Sequence, residues 1–107
     1  MATFVIVNRA PTNYAPSADA FAAFNAWFAW LGANLVDRGN PVFAARTLGN
    51  NGPGTTLGGY TLVTADDLEA AVALAKDHPL LHQGGGVEVG QLTLLNRGTR
   101  QIGDDPA

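Results

Sequence analysis

The chain has 107 residues, a net charge of −3, and charged residues make up only 14% of it, against 47% hydrophobic residues. The length fits one domain, and the six scattered Lys and Arg residues form no basic stripe, which excludes a nucleic-acid partner. The absence of cysteine excludes disulfides, thiolate catalysis and Cys-based metal centres. With so little charge to cover its surface, the chain is expected to bury part of that surface against a partner.

The amino terminus, MATFVIVNRAP, is typical of a first strand and not of an export signal, because it lacks a basic region and a cleavage pattern. No apolar run reaches the ~20 residues that a membrane helix requires. We therefore expect a cytoplasmic protein without a membrane partner.

The first elements follow from residue type and spacing. Aromatic and β-branched residues from Thr3 to Asn8 predict a strand. Ser17 is the predicted N-cap of a helix that ends near Gly32. The apolar stripe expected to face the core of that helix contains Phe21, Phe24, Phe28, Leu31 and Leu35.

The middle of the chain is rich in turn residues. Gly39-Asn40-Pro41 predicts a turn, and residues 41–48 (PVFAARTL) predict a second strand. Residues 49–59 are expected to be loop, either a lid over a pocket or a plain connection, and residues 60–64 (YTLVT) a third strand.

The remaining elements are a helix and a strand. Asp66, with Glu69 as its capping-box partner, predicts a second helix that Pro79 ends. Residues 87–95 predict a fourth strand, after a glycine turn at residues 84–86. We assign residues 1–96 to one domain and residues 97–107 to a polar tail.

The order β-α-β-β-α-β predicts an α+β, ferredoxin-like subunit with both helices on one face of an antiparallel sheet. The strands, however, carry apolar residues on both faces: Phe4 and Ile6 alternate with Val5 and Val7. A homodimer that packs two open sheet faces together, a dimeric α/β-barrel, would cover the second face. The alternative is a monomer that leaves these side chains exposed.

Three segments together resemble the YCII-related family, which includes the DGPF-type proteins. They are WFAWLGANLVDRGNP (27–41), GGYTLVTADDLEAAVALAKDHPLL (58–81) and GGGVEVGQL (84–92). The resemblance implies a dimeric α/β-barrel with a pocket between helices and sheet, and a His–Asp pair proposed as catalytic in some members. Here Phe21 or Asn25 stands where that histidine is expected, and His78 stands where the aspartate is expected, with Asp77 one position earlier. The Asp-Gly-Pro-Phe motif is also replaced, by Asn51-Gly52-Pro53-Gly54.

The histidines His78 and His82 permit three interpretations. They could hold a metal with Asp77 or Glu88, His78 could act as a general acid or base, or the segment could simply end the helix and turn into the last strand. The structural interpretation is favoured, so no metal or other cofactor is expected, and His78 is the only catalytic candidate.

Four further residues are candidates for substrate binding. Arg46, in the presumed second strand, could hold an anion or merely solvate an edge strand. Asn25 could donate or accept a hydrogen bond, and Trp27 and Trp30 could be pocket walls, although core or dimer contacts are the favoured alternative for the tryptophans. Arg38, beside Asp37, is expected to form a surface ion pair.

Two functions remain open at this point. The first is a cofactor-free lyase- or isomerase-type enzyme with a small-molecule pocket, which uses these residues. The second is a non-catalytic binding or accessory module that has lost the His–Asp pair of the family.

Overall fold

A computed structural model describes residues 1–93. The end of the predicted fourth strand and the whole predicted tail lie outside this range. Within it the elements are β1 (Ala2–Pro11), α1 (Ala18–Leu31), a 3₁₀ turn (Gly32–Asn34), β2 (Leu35–Asp37), β3 (Thr55–Ala65), α2 (Leu68–Ala75), a second 3₁₀ turn (Pro79–His82) and β4 (Gly86–Gln91).

The four strands form one antiparallel sheet in the order β2-β3-β1-β4. Each helix connects two strands that have another strand between them, which is the ferredoxin-like arrangement predicted from the order of elements. In the centre of the sheet Phe4 faces Val63 on β3 and Gln91 on β4, so β1 is paired on both sides.

The second strand was predicted in the wrong place. Residues 41–48 are not a strand, apart from an isolated bridge between Pro41 and Gly59, and β2 is instead the short segment Leu35–Asp37. After α1 the chain makes one 3₁₀ turn and then pairs with β3 from Leu35 onward. The pairing therefore begins before the predicted turn at Gly39-Asn40-Pro41. β3 in turn begins at Thr55, so its first residues come from the stretch predicted to be loop.

Both helices begin at side-chain caps. The Ser17 hydroxyl accepts a hydrogen bond from the Ala20 amide at 3.1 Å, as predicted. For α2 the cap is Asp67, whose carboxylate accepts from the Ala70 amide at 2.8 Å, and not the predicted Asp66. Gly32, with φ of 55°, ends α1 where the sequence indicated.

The core lies between the helices and one face of the sheet. Its buried members are Phe4, Ile6, Trp27, Leu31, Val63, Ala65, Ala71 and Ala75. The predicted stripe of α1 is thus rotated: Trp27 and Leu31 are buried, whereas Phe21 is 57% exposed. Because α1 is apolar around most of its circumference, periodicity alone could not determine which side faces the sheet.

The opposite face of the sheet has no covering layer within residues 1–93. Val5, Val7 and Leu62 lie on it and are half-buried by their neighbours alone. Leu92, just beyond β4, is 45% exposed. No helix in this part of the chain is long and apolar enough to cross a membrane.

Candidate functional site

A cavity of about 490 Å³ lies beside α1, at the end of the sheet formed by the second half of β1 and the first half of β3. The segment between β2 and β3 forms its outer wall. Its apolar lining includes Phe21, Phe24, Phe28, Val42, Phe43 and Leu80. A volume of this size is within the range of small-molecule pockets.

The outer wall is held to β3 by specific contacts. The Val42 amide donates to the Gly58 carbonyl at 2.9 Å, and the Asn40 side chain donates to the Tyr60 hydroxyl at 3.1 Å. Gly39, with φ of 75°, lies so close to β3 that a Cβ there would collide with the Tyr60 carbonyl. Residues 38–43 therefore continue the sheet edge as a wall rather than as a strand.

A cation lies at the exposed rim of the cavity. The Arg38 guanidinium donates to the Asn25 side-chain oxygen at 2.9 Å and lies over the Phe28 ring, with 4.5 Å between the guanidinium carbon and the ring centroid. The predicted ion pair with Asp37 was wrong: the Asp37 carboxylate accepts from the Gly39 amide instead. Arg38 thus contacts two side chains of α1.

The described lining of the cavity carries a positive charge and no negative charge. Arg38 is the one charged residue among the described lining residues, which include no carboxylate and no histidine. The remaining polar groups are neutral, chiefly amides and hydroxyls such as those of Asn8, Asn25, Tyr60 and Thr61. Burial raises the pKa of one lining phenol, Tyr14, whose hydroxyl contacts the Gln83 side chain.

His78 lies in the core and is fully buried, outside the cavity lining. Its Nδ1 accepts a hydrogen bond from the Leu80 amide at 3.1 Å, which caps the 3₁₀ turn after α2. Its ring packs on Phe24 and Trp27, at centroid distances of 5.3 and 4.7 Å. Burial lowers the pKa of His78 to about 4.

The protonation of His78 follows from this geometry. Because Nδ1 accepts a hydrogen bond, the proton of the neutral ring is on Nε2, which has no partner among the described residues. His82 is exposed, and residues 1–93 contain no group of three or more potential His, Asp, Glu or Cys metal ligands. The segment as described is a helix exit and turn.

The other sequence-derived candidates are dispersed. Asn25 lines the cavity, where it holds Arg38. Trp27 is buried in the core and donates its indole N–H to the Leu74 carbonyl at 3.1 Å. Trp30 is 55% exposed, and Arg46 lies in the exposed loop with its side chain on the Ala45 carbonyl; neither lines the cavity.

Sequence reasoning missed Arg38 and Asn8 as site residues. Arg38 follows Asp37 directly, so adjacency favoured an ion pair, but neighbouring residues on an extended segment point to opposite sides. Asn8 belongs to the predicted first strand. The sequence feature that could have identified it as a site residue is its polar side chain on the same face as the apolar residues Phe4 and Ile6.

Comparisons with known proteins bear on the fold. No protein-family model matches the chain, and no curated protein matches it. Among solved structures, 5-chloro-2-hydroxyhydroquinone dehydrochlorinase (TftG) from Burkholderia phenoliruptrix AC1100, in complex with 2,5-dihydroxybenzoquinone, is similar with a TM-score of 0.57. The identity is 18%, over 85% of this chain and 93% of that one. The described chain shares the α+β, ferredoxin-like fold of that structure.

At this level of identity the likeness extends to the fold and not to individual residues. It agrees with the fold expected from the three sequence segments above.

Proposed function

We propose that the protein binds a small aromatic anion in the cavity beside α1. The observation that carries the proposal is the Arg38 guanidinium, held by Asn25 and Phe28 at the rim of an aromatic-lined cavity whose described lining has no carboxylate. A fixed cation attracts an anionic group, and the phenyl rings favour a flat apolar body. The ligand therefore combines an aromatic ring with one negative charge.

The electrostatic contribution comes from pre-organisation. A free arginine side chain loses rotamer freedom when it binds an anion, whereas Arg38 is already held by a hydrogen bond and a cation–π contact. The site is also partly exposed, so solvent screening limits the gain to about 1 kcal/mol.

Binding is tested by calorimetry with 4-hydroxybenzoate, which carries one negative charge on an aromatic ring. We expect Arg38→Gln to weaken binding about five- to tenfold, since it removes the charge and keeps an amide. The matched control is Arg46→Gln, which removes an equal charge from the exposed loop and should leave the affinity unchanged. Equal losses in both variants would show that only net charge matters.

A lyase-type enzyme without a cofactor is the second candidate, and the fold shared with a dehydrochlorinase favours it. Proton transfer here would depend on the phenol of Tyr14, as the described lining contains no carboxylate or imidazole and Tyr60 lies opposite Val7, on the other face of the sheet. Chloride release from 5-chloro-2-hydroxyhydroquinone, compared between the native protein and Tyr14→Phe, tests this candidate. Release that depends on Tyr14 would favour the enzyme, and no release above the uncatalysed rate would favour the binding module.

We propose in addition that the protein is a homodimer through its open sheet face. Val5, Val7 and Leu62 form a contiguous apolar centre on this face, because Val5 faces Leu62 across the β1–β3 ladder and Val7 is next along the strand on the same side. An apolar face without its own covering layer is stabilised by self-association, and a two-fold axis lets the same residues meet on both subunits.

A further inference from the structure

We propose that the carboxamide of Asn8 is the specificity-determining group of the cavity, and that it recognises a neutral hydroxyl or carbonyl substituent on the aromatic anion. This inference rests on the function proposed above. It divides the ligand in two: Arg38 receives the charge at the exposed rim, and Asn8 receives an uncharged polar substituent at the buried end.

The first support is an unpaired amide. Asn8 is only 6% exposed and lines the cavity. No hydrogen bond joins its side chain to another residue within 1–93, although a buried amide normally has partners. Within residues 1–93, His78 Nε2 is the only side-chain polar atom that is both inaccessible to solvent and without a hydrogen-bond partner. Because the Asn8 amide also has no partner, it must be accessible, and it is accessible from the cavity that it lines.

The second support is its position in the strand. Asn8 shares a face of β1 with Phe4 and Ile6, which are fully buried in the core. The strand pattern calls for an apolar side chain there, and burying a polar group without a partner lowers stability. A polar side chain at a position that favours an apolar one is a candidate for a functional role.

The third support is the backbone around it. Asn8 faces Gly59 on β3 whereas Arg9 faces Leu57, so Gly58 is the extra residue of a β-bulge. A Cβ on Gly58 would collide with the Asn8 side-chain oxygen, whereas a Cβ on Gly59 would be in ordinary contact with the Asn8 side-chain nitrogen, at 3.5 Å. The absence of a side chain at Gly58 thus makes room for the carboxamide.

The chemistry of an amide sets the ligand class. A carboxamide has both a donor and an acceptor, so a hydroxyl or a carbonyl can pair with it in either orientation of the amide. A second charged group at this buried end would lose its hydration, and the neutral Asn8 amide would not compensate for that loss. The buried substituent is therefore neutral.

The test uses matched probes: 3- and 4-hydroxybenzoate against 3- and 4-methylbenzoate, which replace the hydroxyl by a methyl group of similar size. With the native protein we expect at least one hydroxybenzoate to bind about tenfold more tightly than its methyl counterpart. In Asn8→Leu the ratio should fall to one or reverse, and binding of the methylbenzoates should persist.

Gly58→Ala is the second variant. It keeps Asn8 but fills the space beside its carboxamide, so the hydroxyl preference should fall as it does in Asn8→Leu. Arg38→Gln should weaken all four probes equally and leave the ratio intact.

The outcomes separate the two proposals. If the native protein binds the probes and Asn8→Leu keeps the same hydroxyl preference, the role of Asn8 is overturned while anion binding stands. If the native protein binds none of the four probes, the function proposed above and this inference fail together.

Discussion

Burial of His78 in the core links the ionisation of its ring to the stability of the fold. Its folded-state pKa of about 4 is below the ordinary value of 6.5, so the unfolded chain binds the proton first as pH falls. The stability contribution of the neutral ring is complete above pH 6.5 and is lost progressively between pH 6.5 and about 4. We expect the free energy of unfolding to fall by up to about 3 kcal/mol across this window.

This prediction is checked by urea denaturation at several pH values. His78→Asn is the control, since asparagine can also cap the 3₁₀ turn at the Leu80 amide but does not titrate. The slope between pH 4 and 6.5 should be flatter in this variant. An identical slope in both proteins would assign the pH dependence to other groups.

At the same scale, the residues that a sequence can single out by type are not the ones that the fold brings together. Histidine and tryptophan are candidate site residues by type, because their side chains suit catalysis and stacking. In the structure, however, His78 and Trp27 pack on each other in the core. Asn25 lies in the cavity, but its partner there is Arg38, thirteen positions along the chain. Only the crossing of α1 and the segment after β2 creates this pair.

Among the elements, the segment after β2 depends on Gly39. Its φ of 75° and its contact with the Tyr60 carbonyl leave no space for a side chain. Gly39→Ala should therefore lower the free energy of unfolding by about 2–4 kcal/mol, as it adds a backbone clash to a left-handed conformation.

Gly49→Ala is a matched control for this variant. Gly49 has a similar φ of 71°, but a Cβ there would meet no atom within 4 Å. Gly49→Ala should therefore lower the free energy of unfolding by only about 1 kcal/mol, which is the penalty of the left-handed conformation alone. Thermal or urea unfolding measures both variants, and equal losses would contradict the close contact between Gly39 and β3.

For the whole molecule, the open sheet face makes the oligomeric state testable. We expect sedimentation velocity to give a dimer for the native protein and a monomer for Leu62→Lys, because a charge at the centre of the apolar face would be buried without a partner. Ala73→Lys, on the exposed side of α2, is the control and should remain dimeric. A native protein that sediments as a monomer at micromolar concentration would refute the dimer.

The sequence by itself determined both helices and the first, third and fourth strands, because local signals specify them, whereas it placed the second strand in the wrong segment. Ser17 caps α1, Gly32 ends it, and the β-branched runs of the first and third strands each indicate strand without reference to the rest of the chain. The ferredoxin-like order then follows from the connection rules.

Only the tertiary structure decided where β2 pairs, which side of α1 faces the sheet, and which polar groups surround the cavity. Residues 41–48 have strand-like composition, but β3 is reached earlier, at Leu35, so pairing geometry took precedence over propensity. The Arg38–Asn25 contact and the unpaired Asn8 amide arise from residues that are distant in sequence. Local patterns carry no information on such contacts, since they form only when the helix packs across the sheet.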